Sequence, residues 1–318
     1  MLTKVEPERG ELLARPAQGR RFANHGILGV ALIALFWALN WSVDGLRTHL
    51  AFFPLWVGYC LFIDGLVLYR TGTSLLSRAR WQYLGLFLAS APAWWIFEAI
   101  NARTRNWIYV GAESFDPITY ALLTTLSFST VIPAVFGTAE LVGSFELVRG
   151  LRRGPRIGGH PAAVRAFFVA GLVMLALLIA APRTFYPFVW LALYFIVEPV
   201  NVWLGNRTLA ASTRLGDWRP VVALWGGVLV TAFFWEMWNW LSFPKWVYEV
   251  PGVASVKLFE MPLPGYGGYL PFSMELFAIY HFLLGLLGIK NSRYVILSAS
   301  REVTGQQSPL PDAVGTGS

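Results

Sequence analysis

VVALWGGVLVTAFFWEMWNWL, Val221 to Leu241, decides the fold class of this chain, because it contains a single charged residue, Glu236. A helix that crosses a bilayer core of about 30 Å needs roughly 20 such residues. In the whole chain 56% of residues are hydrophobic and 14% are charged, whereas soluble domains have about 25% charged residues. The sequence therefore predicts a membrane protein.

Seven further apolar runs are long enough, or nearly so, to cross a bilayer: Ile27 to Val43, Phe52 to Tyr69, Trp81 to Ile100, Ile118 to Val148, Val164 to Ala181, Phe185 to Leu204 and Leu270 to Leu287. Pro133 interrupts the long fourth run, which we expect to be tilted, kinked or preceded by a re-entrant turn. None of the runs alternates polar and apolar residues, so a β-barrel is disfavoured. We predict an all-α, polytopic transmembrane bundle of about eight helices, with the first helix retained rather than cleaved.

The net charge of +7 is explained by the predicted topology. With the N-terminus inside, most Arg and Lys residues fall in cytoplasmic segments, as the positive-inside rule requires. The loop between the fourth and fifth runs, LRRGPRIGGHP (Leu151 to Pro161), is an example. We therefore predict that both termini are cytoplasmic, that the membrane is a bacterial inner membrane, and that no nucleic acid is bound.

The second half of the chain partly repeats the first. FFPLWVGYCLFIDGL from Phe52 is echoed by FYPFVWLALYFIVEP from Phe185. WWIFEAINARTRNWIYV from Trp94 aligns with FFWEMWNWLSFPKWVYEV from Phe233, and the matched pairs are Glu98 with Glu236, Asn101 with Asn239, Trp107 with Trp246, Tyr109 with Tyr248, and Pro133 with Pro271. An even number of helices in each copy predicts two parallel four-helix repeats about a pseudo-twofold axis along the membrane normal.

The predicted organisation has five parts. They are a cytoplasmic N-terminal segment (1–24), the first repeat (25–150), a cytoplasmic linker (151–162), the second repeat (163–290) and a disordered cytoplasmic tail (291–318). The oligomeric state is left open.

Carboxylates and amides inside the apolar runs are the candidate functional residues. A charge in the bilayer centre costs at least about 2.5 to 3.5 kcal/mol, so such residues usually face the bundle interior. Spacing of i, i+3 places each Glu and its Asn on one helical face. We predict catalytic roles for Glu236, Glu98 and Glu275, and ligand contacts for Asn239, Asn101, Trp235, Trp238, Tyr248, Trp107, Tyr109, Glu198, Asn201 and Asp64.

The predicted site is an acidic, aromatic-walled cavity near the outer face. The loop from Lys245 to Pro271 is rich in aromatic, Pro and Gly residues, and we expect it to lie over this cavity as a lid. The alternative is that Glu and Asn only join neighbouring helices and that the 15 Trp residues form interfacial belts. We expect His281 and Cys60 to be buried core residues, and Arg103 and Arg105 to be solvated.

Several classes of chemistry lack their motifs. The four His residues are too scattered for His-box di-iron sites, and no H-E-x-x-H, P-loop, GxSxG or paired D-x-x-D motif occurs. No cofactor and no metal is expected.

Glu236, then FPKWVY, then MPLPGYGGYLPF, resembles the integral-membrane carotenoid hydratases and cyclases, although the P-E-E run of the small lycopene cyclases is missing. The resemblance implies proton transfer to a polyene or other isoprenoid, with Glu236 as the acid or base. The repeated motifs also resemble those of uncharacterised bacterial multi-pass proteins.

Three functions follow as hypotheses. The first is a protein that binds a lipid or isoprenoid, with membrane lipids or another apolar or amphiphilic small molecule as partner, and that transforms it by acid/base chemistry. The second is a proton- or cation-coupled transporter, in which a route continues from the outer acids to Asp64 and Glu198. The third is a non-catalytic scaffold, in which the acids are individually paired and no cavity exists.

Overall fold

The computed structural model describes residues 21–43, 47–151, 153–158, 160–249 and 256–297. Seven helices within these residues are long and apolar enough to cross a membrane, and a bent helix pair supplies an eighth crossing if it counts as one span. The prediction of an all-α, multi-pass membrane protein is confirmed. Nearly all of the predicted N-terminal segment, and residues 298–318 of the predicted tail, lie outside the described residues.

The first half of the chain comprises α1 (Asn24–Ser42), α2 (Arg47–Thr71), α3 (Leu75–Arg78), α4 (Arg80–Thr104), β1 (Trp107–Val110), a 3₁₀ turn (Ala112–Ser114), α5 (Pro117–Phe128), α6 (Val131–Gly143) and α7 (Glu146–Arg149). The second half comprises α8 (Pro161–Ala180), α9 (Pro182–Phe185), a 3₁₀ turn (Tyr186–Trp190), α10 (Ala192–Leu204), α11 (Ala210–Thr213), α12 (Arg219–Trp240), β2 (Lys245–Tyr248), β3 (Lys257–Leu258), β4 (Met261–Pro262), a 3₁₀ turn (Leu263–Gly265) and α13 (Tyr266–Leu286).

The fourth apolar run is broken between α5 and α6. Its start is capped by the Asp116 carboxylate, which accepts the backbone N–H groups of Ile118 at 3.1 Å and Thr119 at 3.0 Å. Pro133 has no N–H to donate to the carbonyl of Ser129, so the regular helical hydrogen bonding fails at this point. The break between α5 and α6 agrees with the expectation that the fourth apolar run is kinked.

The sixth apolar run is not one helix. A short α9 and a 3₁₀ turn precede α10. The segment Pro182–Trp190 and the helix Ala192–Leu204 are bent by 42° relative to each other. The first N–H groups of a helix have no partner within it. At this break the Glu275 carboxylate accepts the N–H of Leu193 at 3.2 Å. Glu275 therefore satisfies a helix start that lies within a membrane span.

Glycines set the closest helix contacts. Gly26 and Gly29 of α1 lie against Gly65 and Gly58 of α2, and a Cβ on Gly29 would lie 2.5 Å from the backbone nitrogen of Phe62. The central contact joins α6 to α12, where a Cβ on Gly227 would lie 2.5 Å from the backbone nitrogen of Ala139. Small residues at such positions allow membrane helices to pack backbone to backbone.

The two ends of the bundle differ. One end, the strand end, carries the antiparallel pair β1 and β2. The opposite end carries α3, α11 and the segment Tyr294–Leu297. We expected the chain to be disordered from residue 291, but Tyr294, Val295 and Leu297 are buried in the core. Cys60 and His281 are also buried.

Candidate functional site

Strands β1 and β2 join the two halves of the chain at the strand end. Each follows a helix with a Glu-x-x-Asn sequence, α4 or α12. The register pairs Trp107 with Tyr248 and Tyr109 with Trp246. Exchanging the two matched motifs leaves this register unchanged. The Trp and Tyr side chains predicted to bind a ligand are thus brought into one small sheet.

Both Asn residues hold the strands in place. Asn101 Nδ2 donates to the carbonyl of Trp107 at 2.8 Å, and Asn239 Nδ2 donates to the carbonyl of Trp246 at 2.7 Å. Asn239 Oδ1 also accepts the N–H of Trp246 at 3.0 Å, and Asn101 Oδ1 accepts that of Asn106 at 2.9 Å. These amides bind backbone, so their role is to position the strands.

Both Glu residues accept hydrogen bonds from the strands. The Tyr109 hydroxyl donates to Glu98 Oε1 at 2.6 Å, and the Tyr248 hydroxyl donates to Glu236 Oε1 at 2.6 Å. Tyr269 of α13 donates to the same Glu236 oxygen, also at 2.6 Å. Glu236 is fully buried, and its other oxygen, Oε2, has no hydrogen-bond partner among the described residues. Each motif therefore connects a carboxylate to a tyrosine.

The two strand tyrosines lie outside the membrane-spanning segments. Burial, followed by the charge of the adjacent Glu98, raises the pKa of Tyr109 well above its ordinary value of about 10. Burial and the charge of Glu236 raise the pKa of Tyr248 in the same way. Both phenols therefore stay protonated at physiological pH and remain hydrogen-bond donors.

A cavity of about 120 Å³ lies at the strand end. This volume is about ten times the ~10–15 Å³ that one water needs. Its walls are mainly aromatic and come from both halves of the chain: Phe52, Trp94, Trp107, Tyr109, Phe128, Trp190, Trp235, Trp246, Tyr248, Tyr269 and Phe272. We call this cavity the aromatic pocket.

Polar groups on the pocket wall are largely engaged elsewhere. Thr124 and Ser127 line the pocket, but their hydroxyls donate to the carbonyls of Tyr120 at 2.7 Å and Leu123 at 3.1 Å within their own helix. Lys245 also lines it and forms an ion pair with Glu260. The wall therefore offers aromatic faces rather than free donors.

Comparison of the chain with protein-family models, with curated proteins and with solved structures finds no match in any of the three. The resemblance to carotenoid hydratases and cyclases stays a prediction.

The structure brings together only part of the predicted site. Trp235, Tyr248, Trp107 and Tyr109 line the aromatic pocket. Glu98 and Glu236 lie behind its wall, one tyrosine hydroxyl away, so the pocket surface is apolar rather than acidic. Trp238 does not line the pocket: its ring centroid lies 6.0 Å from that of Trp37 and 5.0 Å from that of Trp56, which in turn contacts Trp235.

Asp64 and Glu198 lie toward the opposite end and share a structural role. Asp64 accepts the N–H of Leu76 at 2.9 Å and the hydroxyl of Ser74 at 2.7 Å. Glu198 accepts the N–H of Ala210 at 2.8 Å. Each acid thus binds the first turn of a short helix, α3 or α11.

Asn201 also lies away from the aromatic pocket. Its Nδ2 donates to the carbonyl of Ala278 at 2.8 Å, and its Oδ1 accepts from Asn206 at 2.9 Å. Glu275 lies at a third location, where it accepts the N–H of Leu193 at the start of α10. The predicted acids are therefore distributed over separate contacts, and only Glu98 and Glu236 are coupled to the pocket.

Several residues of the aromatic pocket were not predicted from the sequence. Tyr269 and Phe272 were included only in the predicted lid and the following helix, and Trp190 was not singled out. Gly265, Gly268, Tyr269 and Phe272 recur at helical spacing, and this pattern could have indicated that they share a face. In the part of the chain that the structure describes, no group of three His, Cys, Asp or Glu residues is placed to hold a metal ion.

Proposed function

We propose that this protein binds the apolar part of a lipid or isoprenoid in the aromatic pocket. The observation that carries the proposal is the pocket itself, which is built from aromatic rings of both halves of a membrane protein. Ligand sites of this kind are concave and mostly apolar, with a few polar groups that fix orientation. Burial of apolar surface contributes about 25 cal/mol per Å², so such a wall favours a hydrocarbon or polyene chain.

An acid/base step is a second proposal for the same site. Glu236 Oε1 receives two tyrosine hydroxyls, and both tyrosines line the pocket. A general acid or base must lie within hydrogen-bond reach of the proton that it moves, directly or through one water, and a phenol can relay a proton in place of that water. Tyr248 and Tyr269 are placed for this relay with Glu236 as the base: a phenol oxygen that takes a proton from a bound molecule would pass its own hydroxyl proton to Glu236.

The two rival hypotheses receive less support. A transporter route would need Asp64 and Glu198 to be available to a moving ion, yet both accept backbone N–H groups of short helices. A scaffold would need no cavity. The individual pairing of the acids fits the scaffold hypothesis, and the aromatic pocket does not.

We also propose that the halves are two parallel repeats. Their Glu-x-x-Asn motifs make equivalent hydrogen bonds, and the strand register keeps the same form when the motifs are exchanged. Arginines of the opposite end, including Arg78, Arg153 and Arg207, support a cytoplasmic location for that end. The membrane that we propose is a bacterial inner membrane. The aromatic pocket would then face the extracytoplasmic side.

Filling the pocket tests the binding proposal. We expect that native mass spectrometry of the wild-type protein in a mild detergent will show a bound apolar molecule. Ser127→Phe places a ring in the pocket and should reduce its occupancy at least about tenfold, a loss of about 1.4 kcal/mol. Leu122→Phe adds a ring to the same helix at a residue that is 64% exposed and serves as the control.

Equal occupancy in wild type and Ser127→Phe would contradict the proposal. So would a wild-type protein that carries only the detergent and the bulk lipid mixture. Melting temperatures of the two variants within about 2 °C of each other would show that a difference in occupancy does not arise from unfolding.

A further inference from the structure

We propose that the aromatic pocket selects an amphiphile whose polar end is a poorly hydrated organic cation, such as a quaternary ammonium group. This inference rests on the proposed function: the alkyl groups of such a cation are themselves apolar, so the pocket would take the cation together with the adjoining part of the chain.

Aromatic side chains from both halves of the chain border the pocket, and several of them pack against one another in pairs. Trp107 and Trp190 are stacked at 5.8 Å, and Phe272 meets Trp190 edge to face at 5.5 Å. Trp235 and Tyr269 form another stacked pair at 6.1 Å. A cation within about 6 Å of such ring faces is attracted by their negative quadrupoles, and Trp is the strongest partner.

The carboxylates of Glu98 and Glu236, behind the wall of the aromatic pocket, also favour a cation. In the described part of the chain, the hydrogen bonds to Glu98 and Glu236 come from neutral Trp and Tyr groups. Neither carboxylate is paired there with a basic residue. A phenol that donates to a carboxylate is polarised, so negative charge is passed toward the ring that faces the pocket. A bound cation would supply the missing countercharge.

Lys245 is the basic residue on the pocket wall, and it does not oppose this field. Its Nζ donates hydrogen bonds to Glu260 Oε1 and to the carbonyl of Trp240. The Lys245 and Glu260 charges cancel, which leaves Glu98 and Glu236 to set the sign at the pocket. An anionic headgroup would meet two carboxylates and a lysine that is already paired.

The type of cation follows from the groups that the wall presents. Metal ions such as Ca²⁺ and Mg²⁺ take several oxygen ligands, which an aromatic wall does not offer. A primary ammonium is strongly hydrated and needs hydrogen-bond acceptors for its N–H groups. A quaternary ammonium has no N–H and is held by ring faces alone.

Binding of matched amphiphiles tests this inference. Octyltrimethylammonium, octanol and octyl phosphate would be titrated by calorimetry into the protein in lipid nanodiscs. We expect octyltrimethylammonium to bind at least about fivefold more tightly than octanol, and octyl phosphate to bind most weakly. Glu236→Gln and Glu98→Gln should each abolish this preference, measured as the ratio of the two affinities in the same variant. Glu146→Gln removes the same charge from a carboxylate whose side chain is 88% exposed and should leave the preference intact.

Equal affinity for octyltrimethylammonium and octanol would overturn the inference and leave the proposed function standing, provided that Ser127→Phe blocks both. Tighter binding of octyl phosphate would overturn it as well. Failure of all three amphiphiles to bind would overturn the proposed function together with the inference. If Glu236→Gln does not fold, the comparison rests on Glu98→Gln, because Glu98 is only partly buried.

Discussion

Glu140→Ala is expected to destabilise the protein by about 3 to 5 kcal/mol, the range measured when one partner of a buried ion pair is removed. Glu140 is 4% exposed and pairs with Arg78. The same oxygen accepts the backbone N–H of Ile296 at 2.6 Å, so it also fixes the end of the described chain. Removing the carboxylate leaves a partly buried guanidinium and a backbone donor without this partner.

Thermal unfolding in a mild detergent would measure this effect. The matched control is Glu146→Ala, which removes the acid from an ion pair with Arg149 whose Glu side chain is 88% exposed. Exposed pairs contribute about 0 to 1 kcal/mol, so the control should melt close to wild type. If Glu140→Ala and Glu146→Ala melt at the same temperature, the proposed structural role of the Arg78–Glu140 pair is wrong.

Gly227→Ala is expected to cost about 1 to 3 kcal/mol, as overpacking of a tight contact does. The added methyl would lie 2.5 Å from the nitrogen and 2.6 Å from the Cα of Ala139. Backbone atoms cannot move aside as a side chain can, so α6 and α12 must separate. This contact joins the two halves of the chain.

Gly85→Ala is the matched control, because the same methyl on α4 meets nothing within 4 Å. A helical Gly to Ala change there should be neutral or should stabilise by up to about 1 kcal/mol. Both variants would be compared by melting temperature and by the monodisperse fraction in gel filtration. A Gly227→Ala protein as stable as Gly85→Ala would show that α6 and α12 do not pack this closely.

Hydrophobic length made the helices predictable. The run from Val221 to Leu241 became α12, and Pro133 indicated a break that lies three to four residues earlier, at Ser129 and Thr130. The break before α10 was not predicted. Its free N–H at Leu193 is accepted by Glu275, a residue distant in sequence.

The site was predictable where sequence spacing is short. Glu236 and Tyr248 are close in sequence, and the matched motif in the first half indicated that Trp107 and Tyr109 belong with them. The apolar surface of the pocket was not predictable, because the tyrosine hydroxyls turn toward the carboxylates and screen them from it. Neither was the Arg78–Glu140 pair, which joins residues of α3 and α6 that are distant in sequence.

Photo-cross-linking tests the central claim, that the aromatic pocket holds one apolar ligand. Photo-methionine, a near-isosteric analogue, would replace methionine throughout the chain in growing cells. Met261 lines the pocket and is 5% exposed, whereas Met174 lies on α8. After illumination and digestion, we predict one discrete lipid or isoprenoid mass on the Met261 peptide and a mixture of bulk lipids on the Met174 peptide. No adduct at Met261, or the same mixture at both positions, would contradict the claim.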